Sequence, residues 1–140
     1  MKREFEDEFM DIQADMVSLC LELYGEHPGD IIYIYVSNEK YSRMFNSFIR
    51  RDGQIKGMHE LGVESSVIWK FLELGSADIK KLQTLCEEYG QPTPYEMKLQ
   101  YDVSKGSLEA DYKYVSQIPA KSNITAGDIF DNWVKEEKRR

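Results

Sequence analysis

The chain has 140 residues, 41% hydrophobic and 31% charged, with 18 Lys and Arg against 25 Asp and Glu and a net charge of -7. That composition excludes a disordered chain, and no apolar run approaches the ~20 residues of a membrane span. The length suits one domain with a real core, so residues 1–140 are read as a single domain. The first ten residues, MKREFEDEFM, are acidic from residue 4 and lack the apolar centre of a secretory signal, so a cytoplasmic location is expected. Double-stranded nucleic acid is a poor fit, because its affinity comes from Lys and Arg neutralising phosphates. An acidic surface suits a basic partner protein, although solubility alone also accounts for the charge.

Residues 3–24 carry Phe5, Phe9, Ile12, Met16, Leu19 and Leu23 at steps of four and three, which predicts an amphipathic helix. Gly25 and the His27-Pro28-Gly29-Asp30 step end it. Ile31–Val36 (IIYIYV) reads as a strand with much of both faces covered, and Ser37–Lys40 as a turn. A second strand is expected over Tyr41–Arg51, a hairpin turn at Asp52-Gly53, and a third strand from Gln54 to about Leu61. Residues 64–90 are helical, with Ser65 or Ser66 as cap and Gly75-Ser76 as an interruption, either a kink or a short loop. Gly90, Pro92 and Pro94 then lead into an extended segment.

From Tyr95 to Tyr114 the pattern alternates strictly on both sides of Ser104-Lys105-Gly106, the signature of a β-hairpin with one buried face. Met97, Leu99, Tyr101, Leu108, Ala110 and Tyr112 are expected in the core. Thr125 with Asp128 makes a capping-box-like start for a last helix bearing Ile129, Phe130, Trp133 and Val134. The order α-β-β-β-α-β-β-α implies an α+β fold: an antiparallel sheet of about five strands with helices packed on one face.

Little in the chain points to catalysis. The glycines have neither Walker nor dinucleotide spacing, and no G-x-S-x-G elbow exists. Cys20 and Cys86 fall in helical apolar patterns and read as small buried hydrophobes, neither a disulfide nor a metal pair. His27 and His59 have no partner at ligand spacing, and the carboxylates show no calcium-loop pattern. The expectation is a non-enzyme with no catalytic residues, cofactor or metal.

The string Leu82–Tyr114 (LQTLCEEYGQPTPYEMKLQYDVSKGSLEADYKY) resembles the centre of the YezG-like immunity (antitoxin) proteins of bacteria. It shares a helix ending in glutamates, a Gly90-Gln91 step with a proline behind it, an alternating strand, and a second strand rich in Asp and Tyr. The upstream order of elements and Trp133 in the last helix are also similar. Pro94-Tyr95 stands where that family often has Trp, and Met58-His59-Glu60 where it has a His-Asp pair.

The resemblance implies a non-enzymatic role: binding a cognate protein toxin, commonly a nuclease, and blocking it in the producing cell. The candidate partner-binding residues are Glu96, Asp102, Glu109 and Asp111 on the hairpin's solvent face, with Glu87 and Glu88 beside them. Neither nucleic acid nor membrane is an expected partner, and the chain is expected to be a monomer or weak homodimer. The alternative is a small structural or regulatory protein that self-associates through a sheet edge or Tyr-rich face. Charges on an exposed edge strand also serve simply to prevent aggregation.

Overall fold

The computed structural model describes residues 4–40 and 42–140. The expected helix start at residue 3 and the expected first residue of the second strand, Tyr41, lie outside the described residues. Three helices, α1 (Phe5–Tyr24), α2 (Ser65–Glu88) and α3 (Ala126–Lys138), accompany five strands. The strands are β1 (Ile31–Glu39), β2 (Ser42–Arg51), β3 (Gln54–Gly57), β4 (Glu96–Asp102) and β5 (Ser107–Lys113). They form one antiparallel sheet in the order β3-β2-β1-β4-β5. The α+β class and the order of elements are as expected.

Side chains of a strand alternate between faces, and β1 shows why its apolar run is unbroken. Ile32, Ile34 and Val36 join Phe45, Ile49, Met97 and Leu99 in the main core beneath α1 and α2. Tyr33 and Tyr35 point the other way and join Phe48, Ile55, Phe130 and Trp133. The helical layer on one face is thus α1 and α2, while α3 adds a smaller cover on the reverse side. That cover packs mainly on β2 and β3 and its Trp133 reaches Lys98 of β4, so on the reverse side it is β5 that stays exposed.

Local chemistry accounts for the boundaries. Asp52 and Gly53 both take positive φ (52° and 77°), the backbone of a tight hairpin turn whose twist matches the strands. In the capping box of α3, Thr125 Oγ1 accepts from the Asp128 amide (3.1 Å) and Asp128 Oδ2 accepts from the Thr125 amide (2.9 Å). Cys20 and Cys86 are both buried free thiols, and burial pushes the Cys20 thiol up to about 12.

Four expectations are corrected. The chain over Ser37–Glu39 extends β1, with Ser37 opposite Met44 and Asn38 opposite Arg43. β3 ends at Gly57, because the next residues curl (Leu61 N–H donates to Gly57 O, 3.2 Å) and send Met58 into the main core. α2 begins after Glu64 with no side-chain cap from Ser65 or Ser66, and it runs unbroken through Gly75. Ala110 is exposed and Leu108, Tyr101 and Tyr112 are only half-buried, because β5 lies at the margin of the α1–α2 layer; Met97 and Leu99 are fully buried.

Candidate protein-binding surface

The alternating pattern of residues 95–114 places its polar set on the reverse side of the sheet. The β4–β5 register sets Glu96 opposite Lys113, Lys98 opposite Asp111, Gln100 opposite Glu109 and Asp102 opposite Ser107. The first two are cross-strand pairs of opposite charge, which favour this register over a slipped one.

The four candidate residues separate into two pairs. Glu96 is not at the surface. It is 3% exposed, accepts a hydrogen bond from the Tyr35 hydroxyl at Oε2 (3.0 Å), and faces Lys98 Nζ at 4.0 Å from Oε1. Burial, then the negative charge of Glu96, raises the Tyr35 hydroxyl well above its ordinary value, so it stays a donor to that carboxylate.

Asp102 serves the turn. Its Oδ1 accepts from the Lys105 amide (3.1 Å) and the Ser104 hydroxyl (2.9 Å), and these bonds hold its carboxyl below the usual carboxylate range. Because the folded value is depressed, its contribution is present above the unfolded carboxylate value and is lost as pH falls through the folded one. Asp102→Ala is therefore expected to lower urea midpoints at pH 6. The gap between variant and parent should close as pH drops through the folded Asp102 value. A gap independent of pH would show that the carboxylate is not what holds the turn.

Glu109 and Asp111 remain exposed on the reverse side of β5. They form one wall of a groove of about 270 Å³ between β5 and the C-terminal turns of α3. Lys98 and Gln100 form its floor, and Trp133, Glu136, Glu137 and Arg140 its far wall. Lys98 Nζ lies 5.4 Å from the centre of the Trp133 ring, so its charge is held by both the ring and Glu96. Glu137 is 4% exposed and lies 3.6 Å from both Arg50 Nη2 and Arg140 Nε. Glu87 and Glu88 end α2, in the helical layer on the other side of the sheet, and do not join this surface.

The α3 wall has no counterpart among the residues expected from sequence. Its signals in the sequence are the apolar stripe Ile129–Val134 and the run Ile31–Val36, whose two apolar faces require cover on both sides of the sheet. A wider, open depression of about 850 Å³ lies elsewhere, between the β1–β2 turn, α2 and Pro92–Tyr95. Its lining is tied by Arg43 Nη2 and Asn38 Nδ2, which both donate to Gln83 Oε1. No helix is long and apolar enough to cross a membrane, and no cluster of metal-ligating side chains occurs among the described residues.

No protein-family model and no curated protein sequence matches the chain.

Proposed function

We propose that this chain is an immunity protein that binds and neutralises a cognate bacterial toxin, a basic nuclease, by direct contact and without chemistry of its own. The observation that carries this reading is the exposed reverse side of β5, where Glu109 and Asp111 stand beside a groove. A nuclease holds a polyanion and so presents a basic field, and an acidic surface competes for that field and speeds encounter. The net charge of -7 and the resemblance of residues 82–114 to the YezG-like proteins support the same reading.

The test is to read the neighbouring genes for a C-terminal toxin domain and to co-express this chain with it. Restored growth and a stoichiometric complex are expected, and failure of both would overturn the proposal. The double charge reversal Glu109→Lys/Asp111→Lys should weaken that complex at a stability cost of about 1 kcal/mol, since both side chains are exposed but the new cation at position 111 faces Lys98.

One observation favours self-association as a second reading. Trp69 on α2 is 72% exposed, and large aromatic side chains are enriched at interface centres. Sedimentation of the isolated chain tests this: a dimer abolished by Trp69→Ala supports it, and a monomer at all concentrations removes it.

A further inference from the structure

We infer that the free edge of β5 receives an extended, basic segment of the partner protein as an added strand. This deepens the toxin-binding reading and rests on it. β5 is the terminal strand of the sheet, paired with β4 alone, and no described element lies beyond it. A strand in that position offers its outward backbone groups to any chain that can pair with them.

The two faces of β5 specify which chain that is. On the reverse side, Glu109 and Asp111 are exposed, and an added strand sets one side chain directly across from each. Lys or Arg at those positions falls against them at the mouth of the groove whose far wall carries Glu136, while the buried Glu137 there is already paired with Arg50 and Arg140. Lys98, the cation on the groove floor, is already held by Glu96 and Trp133. Lys113 bridges Asp111 at 3.8 Å between two exposed side chains, a contact of little energy that an incoming cation displaces.

On the side of α1, exposed Ala110 leaves a gap between half-buried Leu108 and Tyr112. The Tyr112 ring is fixed by its hydroxyl donating to Gln13 Oε1 (2.9 Å) and by an edge contact with Phe9 at 5.6 Å. A large apolar side chain opposite Ala110 fills that gap. The recognised pattern is therefore basic, apolar, basic at successive positions.

A second copy of this chain fits worse. Pairing β5 with itself in full overlap puts Ala110 across from Ala110 and Glu109 across from Asp111 twice, which sets like charges opposite each other. The other edge strand, β3, has only four residues and no acidic side chain.

The test titrates the full, isotopically labelled chain with a seven-residue peptide alternating Lys with Val and Ile. Amide shifts and slowed exchange are expected at residues 107–113. Affinity should fall about tenfold or more in Glu109→Lys/Asp111→Lys. A Lys-Gly alternating peptide of equal charge should bind far more weakly, because it lacks strand propensity and the side chain for the Ala110 gap. Equal binding of that control, shifts centred elsewhere, or no shift at millimolar peptide would each overturn the inference. So would β5 amides protected in a dimer without peptide. If toxin is neutralised equally well by the charge-reversed chain, the edge proposal falls and the immunity reading stands. If the peptide docks on β5 but the neighbouring toxin is not bound, the immunity reading falls instead.

Discussion

Replacing Gly75 by alanine is expected to lower the unfolding free energy by about 1–3 kcal/mol, although the same change in an exposed helix interior raises it by about 1 kcal/mol. A Cβ at this position would stand 2.0 Å from Phe45 Cδ1 and 2.3 Å from Cγ, far inside contact distance. Phe45 has no room to retreat: it is 2% exposed and packs against Phe71, with ring centres 5.2 Å apart. Either α2 lifts from β2 or the ring leaves its rotamer, and overpacking costs more than helix propensity returns. Urea denaturation of Gly75→Ala, Phe45→Leu and the double variant measures this. The double variant should be more stable than the sum of the single losses, because the smaller side chain frees the space that the methyl group needs. A Gly75→Ala protein more stable than its parent would show that the close approach is not needed.

Trp133→Ala is expected to cost about 3–5 kcal/mol, and Tm should fall by roughly 10 °C. The indole is 4% exposed. It makes edge contacts with Phe48 (ring centres 5.1 Å apart) and Tyr33 (5.6 Å), and a tilted one with Tyr35 (6.2 Å). Phe48 and Tyr33 are themselves stacked at 4.4 Å, so the indole closes one aromatic cluster. Hydrogen exchange adds a spatial readout: α3 amides should lose protection well before those of α1 and α2, whose core lies on the other side of the sheet. Trp69→Ala, at the exposed indole, should stay within about 0.5 kcal/mol of the parent and serves as the control. A loss below about 1 kcal/mol for Trp133→Ala would mean that α3 is held by something other than this ring.

The hairpin was the most legible element. Period-two alternation on both sides of Ser104–Gly106 assigns each of its residues to a face, and the register Met97 opposite Tyr112 agrees with that assignment. Alternation assigns a face and not a depth, however. Glu96 shares its pattern with Glu109 and Asp111, yet Tyr35 and Lys98 engage its two carboxylate oxygens and it is buried. Ala110 shares its pattern with Leu99 and is exposed, because how far α1 and α2 reach across the sheet is a tertiary property. Asp102 reads as a strand residue, and only the turn shows that its carboxylate belongs to Lys105 and Ser104. Gly75 reads as an interruption because glycine disfavours helix, whereas the benzene ring of Phe45, thirty positions earlier, is what requires it. The stripe Ile129–Val134 names an apolar face of α3 but not the side of the sheet that it covers.

The central place of β1 also bears on the order in which the molecule assembles. One neighbour, β2, begins three positions after β1 ends, whereas the other, β4, returns some 65 positions later in the chain. The β1–β2–β3 meander can therefore zip early from the Asp52-Gly53 turn, with little loop entropy to overcome. Tyr33 and Phe48 then stay wet until Trp133 arrives, a hundred positions after Tyr33. During synthesis the chain exposes an aromatic sheet face until α3 emerges, the kind of intermediate that aggregates. Folding should accordingly show a late phase in which indole burial follows formation of the sheet, and Trp133→Ala should abolish that phase while leaving the early one intact.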